Sequence, residues 1–493
     1  MFKNMESNLK EKIFLITIAI LLSAAIIGLF DRTLAVGIIF IALLTGITFL
    51  VFKKIGFRTK TIFALFLIAL SVYLGAVLFV YYAHFQPFSG GFGDYTEYDS
   101  LARDIVQRVH HGDFSLQGIG YETFYTVVIA YIYALILPEP LIGQMFNAWL
   151  VALLVIFVYL IVLEMGGSKK EGFFAGLMVS IYPSLLFFGS LLGKDAFAVL
   201  LFSITLFLIL KVLKKFSWIK FLTLYISLIA ITNVRIYVSC ALILTFIICW
   251  FIFSGIKIKR RLIYGLVMIF LLGFLFNISG GQGVGAGYYG INFMKFFLNR
   301  EMINYYRELV SIPNPKISPI TGFPVYDEPV VSEPLVSESS VSEPLLSESS
   351  VSEPSAPTDK PTTKRGRGSA VMVKTGFENP FTFIKNSFVS FIYASLGPFP
   401  WQLRYLKHLF ILPELILWYF ALFFAIKGIK KPTRPHTFTL LIFSLLVLGT
   451  LSLFLSNYGI VTRLRIPAFI SLFCLAPFGF KRLKYIKIPF LNI

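Results

Sequence analysis

Long apolar runs constrain this chain more than any other feature of its sequence. Runs of about 15 to 23 apolar residues recur along it, and at a rise of 1.5 Å per helical residue they match the ~30 Å hydrocarbon core of a bilayer. Because lipid offers no hydrogen-bond partners, each run must satisfy its own backbone as a helix. Only 14% of the residues are charged, against roughly 25% in soluble domains. The sequence therefore predicts an all-α polytopic membrane protein and excludes a soluble globular domain.

About twelve of these runs are long enough to predict membrane spans. The first is expected to be a retained span, because no small-residue cleavage site follows it. Two shorter apolar stretches, 124–137 and 381–396, are typical of re-entrant or interfacial segments. The predicted spans are residues 13–29, 34–52, 61–82, 141–163, 172–190, 196–213, 220–232, 236–254, 262–277, 408–426, 437–455 and 464–480.

The span pattern divides the chain into three regions. Residues 1–276 form an N-terminal transmembrane region with an external loop at 83–123, residues 277–407 form a long external loop, and residues 408–493 form C-terminal transmembrane helices.

The long loop is composite. A Gly-rich segment at 279–289 is followed by a predicted amphipathic helix at 291–309, and then by a ten-residue repeat that begins VSEPLVSESS. Ser, Glu and Pro at this density cannot bury a core, which predicts a disordered acidic spacer over about 327–370.

The basic residues predict the orientation of the chain. The net charge is +19, which in a soluble protein would suggest a nucleic-acid partner, but here most Lys and Arg flank apolar runs. With the N-terminus in the cytoplasm and 124–137 not crossing, every dense basic cluster falls on the cytoplasmic side. We therefore expect a multi-pass plasma-membrane protein that contacts anionic lipid, with no nucleic-acid partner. The clusters are Lys53–Lys60, Lys169–Lys170, Lys211–Lys215, Lys257–Arg261, Lys427–Arg434 and Lys481–Lys484.

The first candidate site lies in the external loop after the third predicted span, where four acids follow one another. Asp94, Tyr98 and Ala102 are spaced at i, i+4 and i+8, which predicts one face of a helix that begins near Asp94 at the outer membrane surface. Asp94 is suited to cap that helix, and it is also placed to accept a proton from an acceptor hydroxyl or amine. The spacing alone leaves both interpretations open.

A second group of ionisable residues follows the span at 172–190. Pro183 predicts a kink in that span. Lys194 and Asp195, just beyond it, predict either a solvated turn or groups that face a polar cavity, since ionisable residues at membrane depth are functional candidates.

Three arginines are predicted on the external side, away from the basic clusters. Arg235, Arg463 and Arg465 each lie at the external end of a predicted span. A guanidinium is a planar donor fork that suits a lipid-linked phosphate. The alternative is that these side chains extend to the lipid headgroups without a specific partner.

Several other chemistries lack support in the sequence. The three cysteines, Cys240, Cys249 and Cys474, lie inside apolar runs, which argues against disulfides or a zinc site. The five histidines show no metal-ligand spacing. Neither a P-loop nor a GxSxG motif is present. No metal site is predicted.

Three short patterns on the external side carry a family resemblance. An Asp in the first external loop is followed at four-residue steps by Tyr and Ala, and then by Gly; a later span starts with small residues and reaches Pro-Ser; a late turn places Arg before a Pro-starting span. The three patterns follow one another in the order found in the GT-C membrane glycosyltransferases. The chain therefore resembles that family, in particular relatives of protein O-mannosyltransferase and of the lipid A aminoarabinose transferase. Tyr95 departs from the pattern, since many members have an acid there. The matching residues are Asp94, Tyr98, Ala102, Gly112, Ala175, Pro183, Ser184 and the turn Asn457–Pro467.

The resemblance implies a GT-C-like fold with external juxtamembrane helices and an inverting transferase. A sugar would pass from a polyprenyl-phosphate donor to a glycan, lipid or protein acceptor on the external face. Asp94 would be the general base, and the other residues implied to bind substrate are Tyr98, Glu97, Lys194, Arg235, Arg463 and Arg465. The sequence assigns no cofactor, and it leaves a divalent metal near the acids by Asp94 open without indicating one.

Two other functions fit the sequence less well. A polysaccharide polymerase that joins lipid-linked repeat units also needs external arginines. A transporter of lipid-linked sugars usually shows repeated halves with matching broken helices, and the sequence shows no such duplication.

Overall fold

The computed structural model describes residues 19, 21–56, 60–85, 94–114, 124–273, 316–317, 324–325, 380–399, 411–429, 434–453 and 458–480. Within these residues the chain is helical, apart from an antiparallel pair of two-residue strands, β1 (Lys316–Ile317) and β2 (Pro324–Val325). The Gly-rich segment, the predicted helix at 291–309, the acidic repeat at 327–370 and the last basic cluster lie outside the described residues.

The helices follow the predicted apolar runs closely. They are α1 (residues 21–28), α2 (Arg32–Ile55), α3 (Lys60–Tyr82), α4 (Asp94–His110), α5 (Phe124–Leu135), α6 (Pro140–Glu164), α7 (Lys169–Ser180), α8 (Pro183–Ser190), α9 (Asp195–Lys214), α10 (Trp218–Thr232), α11 (Ile236–Phe253), α12 (Ile258–Gly273), α13 (Pro380–Leu396), α14 (Leu412–Gly428), α15 (Arg434–Leu453), α16 (Tyr458–Leu464) and α17 (Ile466–Gly479).

Six helices in the described part of the chain are long and apolar enough to cross a membrane: α2, α3, α6, α9, α11 and α15. The pair α7 and α8 would make a seventh span, but it is bent by 60°. The bend falls at Pro183, as predicted, because proline cannot donate the helical hydrogen bond and its ring clashes with the preceding turn. Helices α10, α12, α14 and α17 are apolar but have only 15, 16, 17 and 14 residues. By length, the described residues therefore contain six or seven spans, which does not confirm the expected twelve.

The burial of these helices separates a centre from a periphery. The apolar windows of α6 and α9 are 78% and 72% buried, whereas that of α2 is 28% buried. The outer helices leave large apolar side chains exposed, among them Leu50 and Leu266. Apolar surface on this scale is unstable in water, so the exterior of the bundle indicates a membrane-embedded protein.

Two contacts show that α6 and α9 run parallel. Near the start of α6, Asn147 donates hydrogen bonds to the carbonyls of Leu191 (2.8 Å) and Gly193 (3.0 Å), in the loop that leads into α9. At the other end, Lys214 of α9 forms an ion pair with Glu164 of α6 at 2.9 Å. We call the end where α6 and α9 begin the site face, and the end that carries Glu164 and Lys214 the basic face.

Other basic clusters share the basic face. Helix α7 begins there at Lys169, directly after α6 ends. Gly37, near the start of α2, packs against Met145, near the start of α6, so α2 also runs from the site face and its last turn carries Lys53 and Lys54 to the basic face. These contacts agree with the sequence prediction that the basic clusters lie on one side.

The short helix α5 lies along the site face. Tyr125 in its first turn donates a hydrogen bond to Asn147 at 3.1 Å, and Tyr133 in its last turn lies against Gly143, in the first turn of α6. Both ends therefore contact the same end of α6. Its 12 residues extend only ~18 Å, too short to cross a bilayer. This agrees with the prediction that 124–137 does not cross.

Helices α14 and α17 approach each other through glycine. A Cβ added at Gly428, the last residue of α14, would lie 2.5 Å from the carbonyl oxygen of Leu475 and 2.9 Å from the backbone nitrogen of Gly479. The two backbones are in direct contact here, with no flexible side chain between them. Gly449 on α15 is the contrasting case, because a Cβ there would meet nothing within 4 Å.

We predict that Gly428→Ala destabilises the protein by about 1–3 kcal/mol, because the added methyl group forces two backbones apart. Gly449→Ala is the matched control and should be neutral, or stabilising by roughly 0.5–1 kcal/mol through reduced chain entropy. The measurement is unfolding of each purified variant in mixed detergent micelles titrated with dodecyl sulfate. Equal midpoints for the two variants would contradict the close approach of α14 and α17.

Candidate functional site

Four charged residues from four helix ends meet at the site face. Helix α4 begins at Asp94, α9 begins at Asp195, Arg235 precedes α11, and Arg463 lies in the last turn of α16. Acids in a first helical turn are stabilised by the positive end of the helix dipole, which suits both carboxylates to these positions. We call these four residues the charged cluster.

Asp195 lies between the two arginines. Its Oδ2 accepts a hydrogen bond from Arg463 Nε at 2.7 Å, and its Oδ1 accepts one from Arg235 Nη2. Arg463 also reaches outward, with Nη1 at 2.6 Å from Asp94 Oδ2. The charged cluster thus forms one chain of ion pairs that runs Arg235, Asp195, Arg463, Asp94.

Exposure differs between the inner pair of this chain and its outer end. The side chains of Asp195, Arg235, Arg463 and Asp94 are 7%, 13%, 21% and 57% exposed. The inner pair is therefore shielded from solvent and screened little by salt, whereas Asp94 is open to an incoming molecule. The cluster has a fixed inner end and an accessible outer end.

The loop that presents Asp195 is held by buried hydrogen bonds. The side-chain amide of Asn147 binds two carbonyls of this loop, and its own carbonyl accepts from the Tyr125 hydroxyl. The Tyr125 ring in turn packs edge-to-face against Tyr98 of α4, with centroids 5.7 Å apart. Because each polar group is satisfied, this network holds the loop and α4 in a fixed relation.

Helix α4 is anchored at its middle rather than at Asp94. Asp99 accepts hydrogen bonds from the Tyr133 hydroxyl at 2.8 Å and from Arg103 Nε at 2.9 Å. Tyr98 is buried in this packing, whereas Glu97 is exposed to solvent on the outer side of the helix. Of the residues predicted on α4, Asp94 therefore joins the charged cluster, Tyr98 supports it from the core, and Glu97 points away from the packed side.

Arg463 is held as a permanent cation. Burial by itself lowers the pKa of the Arg463 guanidinium, but the carboxylates of Asp195 and Asp94 outweigh burial and raise the pKa above its ordinary value. Its third nitrogen, Nη2, donates no hydrogen bond to any described residue. An anion at the site face would find both a positive charge and a free donor there.

Arg465 belongs to a second, fully buried group. Its Nη2 is 2.8 Å from Glu414 Oε1, and its Nη1 donates to the carbonyls of Ala394 and Gly397. Glu414 also accepts hydrogen bonds from the hydroxyls of Tyr182 and Ser184, beside the bend at Pro183. The structure thus joins α13, α14, α17 and the broken span through Arg465, and it does not bring this arginine into the charged cluster.

Lys194 is buried at the N-cap position of α9, and Asp195 beside it is buried as well. This argues against the solvated-turn interpretation of the two residues, and the alternative, in which they face a polar cavity, stays a prediction. Lys194, Arg235 and Arg463 share the site face, whereas Arg465 is fully buried; that the site face is external stays a prediction.

Two acids that hold these groups together escaped the sequence prediction of site residues. For Asp195 the sequence leaves a solvated turn or a polar cavity open and predicts no binding role, and it does not indicate Glu414, which lies inside the predicted span at 408–426. The available signal was that Glu414 is a single acid within an apolar run, where an ionised carboxylate is costly without a partner.

Neither a search for metal-binding groups nor a comparison with known proteins assigns a function to the charged cluster. Among the residues that the structure describes, no three His, Cys, Asp or Glu side chains gather where they could hold a metal ion. No protein family, curated protein or solved structure matches the chain. The class that the fold defines is that of helical membrane proteins with several spans.

We predict that Asp195→Asn and Asp94→Asn differ sharply in stability. The first leaves the buried Arg235 without its counter-charge and Arg463 with only the exposed Asp94, and it should cost roughly 3–5 kcal/mol. The second removes an exposed partner and should cost about 1 kcal/mol or less. Unfolding midpoints in mixed detergent micelles test this, and similar losses for the two variants would show that Asp195 is not the central residue.

Proposed function

We propose that this protein is an integral membrane glycosyltransferase that moves a sugar from a polyprenyl-phosphate donor to an acceptor at the site face. The observation that carries the proposal is the contact of 2.6 Å between Asp94 and Arg463, which are 369 residues apart in sequence. An exposed carboxylate can accept a proton, and a guanidinium can bind a phosphate. The fold brings these two complementary groups together at one end of an apolar bundle.

The proposed reaction assigns one task to each of the two outer members of the charged cluster, Asp94 and Arg463. An acceptor hydroxyl oxygen attacks the anomeric carbon of the donor sugar and forms the new glycosidic bond. The bond between that carbon and the phosphate oxygen breaks, so polyprenyl phosphate leaves with the bonding electrons and the configuration inverts. Asp94 takes the hydroxyl proton through Oδ1, since its Oδ2 accepts from Arg463. Arg463 stabilises the negative charge that develops on the departing phosphate.

The surroundings of Arg463 suit a ligand with one charged end and a long apolar chain. The guanidinium carbon of Arg463 lies 5.7 Å from the ring centroid of Phe188 on α8, the helix that follows the bend at Pro183. Phe187 lies next to Phe188, with ring centroids 5.2 Å apart, and also contacts Phe85 beyond the end of α3. A polyprenyl chain would pack against this aromatic surface while its phosphate meets Arg463.

The positive-inside rule supports a basic face in the cytoplasm. The proposal therefore includes a charged cluster on the external side of the plasma membrane and an N-terminus inside. In this proposal the shorter helices α10, α12, α14 and α17 also cross the membrane, which brings the number of spans closer to the twelve that the sequence predicts. The GT-C resemblance is part of the same proposal, as are the roles of Glu97, Tyr98, Lys194 and Arg235 near the substrate.

We expect Asp94→Asn to lower transfer by about 100-fold or more, because general-base catalysis typically contributes 10²–10⁴. The control is Asp104→Asn, which removes another exposed acid from the same helix and should retain full transfer. The measurement is mass spectrometry of cell-envelope glycans and of polyprenyl-phosphate sugars from cells that carry each variant at equal membrane levels. Normal glycans with Asp94→Asn would remove the proposed base.

Arg463→Lys separates charge from geometry. Lysine keeps the positive charge but loses the planar fork that binds Asp195 and phosphate together, so we expect transfer to fall by at least roughly 10²-fold. Arg108→Lys, at an exposed position on α4, is the control.

The length of the product decides between this proposal and a polymerase. Addition of single sugars supports a transferase, whereas a ladder of long glycans supports a polymerase.

A further inference from the structure

A cavity opens at the basic face, at the opposite end of the bundle from the charged cluster. It measures about 320 Å³ and lies between the end of α9, the turn that joins α11 to α12, and the first turns of α12. A water molecule occupies about 30 Å³ of liquid, so the space is large enough for a chemical group of several atoms. None of the residues proposed for transfer lines it.

The turn between α11 and α12, which lines one side of this cavity through residues 254–256, is fixed by hydrogen bonds to backbone groups. Arg261 turns inward and donates to the carbonyls of Phe251 (3.1 Å) and Ser254, while Trp250 Nε1 donates to the carbonyl of Arg261 at 3.1 Å. Gly265 of α12 packs directly under the Phe251 ring. The turn between α11 and α12 is therefore held open without a ligand, which lowers the cost of binding one.

Cations line the cavity without a matching number of acids. Lys214, Lys215 and Arg260 are among its lining residues. Lys214 is already paired with Glu164, but in the described part of the chain neither Lys215 nor Arg260 forms an ion pair. Both side chains are exposed and can turn towards a bound anion. The cavity therefore favours a ligand with negative charge.

The outer surface beside the cavity is apolar. Tyr264 lines the cavity and contacts the rings of Phe216 and Trp218 at 5.4 Å and 5.7 Å, which joins α12 to the start of α10. Beyond these rings both helices expose large apolar side chains towards the membrane interior. They are Ile219, Leu222 and Ile226 on α10, and Leu262, Ile263, Leu266 and Phe270 on α12.

We propose that this cavity binds the phosphate headgroup of an anionic phospholipid, whose acyl chains lie against α10 and α12. A basic pocket between helix ends, open to the headgroup region, has the chemistry that anionic lipids require. A free phosphate would use the same cations but would gain nothing from the apolar flank. The proposal is independent of the transferase activity and concerns a separate site on the other face.

The test compares lipids that differ only in charge. The purified full chain in detergent is titrated with phosphatidylglycerol or with phosphatidylcholine of the same acyl composition, and retained lipid is counted by native mass spectrometry. A parallel arm adds inorganic phosphate alone and follows the thermal unfolding midpoint. The variant is Lys215→Gln with Arg260→Gln. The matched control is Lys53→Gln with Lys54→Gln, which removes the same charge from the basic face outside the cavity.

We expect phosphatidylglycerol to bind more tightly than phosphatidylcholine, and the cavity variant to weaken that binding by roughly tenfold or more. The control variant should bind as the natural chain does, and all variants should unfold at the same midpoint without lipid. Equal binding of the two lipids, or equal weakening in both variants, would overturn the proposal. Stabilisation by inorganic phosphate to the same extent as by lipid would also overturn it, since the site would then be one for a free anion.

Discussion

The arrangement at the site face depends on one buried carboxylate. Asp195 is bound on both oxygens by guanidinium groups from α11 and α16, and its own helix starts at that residue. Removing charges from water is costly, and a buried ion pair repays this only when its hydrogen bonds are nearly complete. Here each oxygen of Asp195 has an arginine donor, and Asn147 fixes the loop in front of it. The same contacts thus fix the position of Asp195 and compensate its charge. They therefore determine one arrangement of the helix ends at the site face.

The second buried group extends this order to the C-terminal helices. Glu414 and Arg465 are almost completely enclosed, and the hydroxyls of Tyr182 and Ser184 complete the partners of the carboxylate. The bend at Pro183 makes these hydroxyls available, because residues at a helix break can point to a partner that a straight helix would not reach. Arg463 and Arg465 are only two residues apart, yet one takes part in an accessible cluster and the other in a sealed one. Their different partners explain why similar arginines in one sequence motif need not share a role.

Much of this fold could be predicted from local sequence, and the part that could not involves distant partners. Helix positions, the bend at Pro183 and the surface location of 124–137 follow from run length, proline chemistry and the distribution of Lys and Arg. The number of spans could not be settled in the same way, because short apolar helices such as α10 and α17 give the same hydropathy signal as spans. The sequence indicates Asp94, Arg235 and Arg463 only one at a time. Their arrangement into a chain through Asp195 depends on contacts between residues 40 to 369 positions apart, which no local pattern encodes.

The glycine contact between α14 and α17 has a mechanical consequence. Two backbones that touch without intervening side chains have no rotamers to rearrange, so this pair resists small adjustments. Helix α17 begins directly after Arg465, and α16 is a separate helix of seven residues in front of it. If the chain near Arg463 shifts when a molecule arrives, the displacement must therefore be absorbed within α16, because hydrogen bonds hold the loop before α9 and the helix pair behind α16 stays in place.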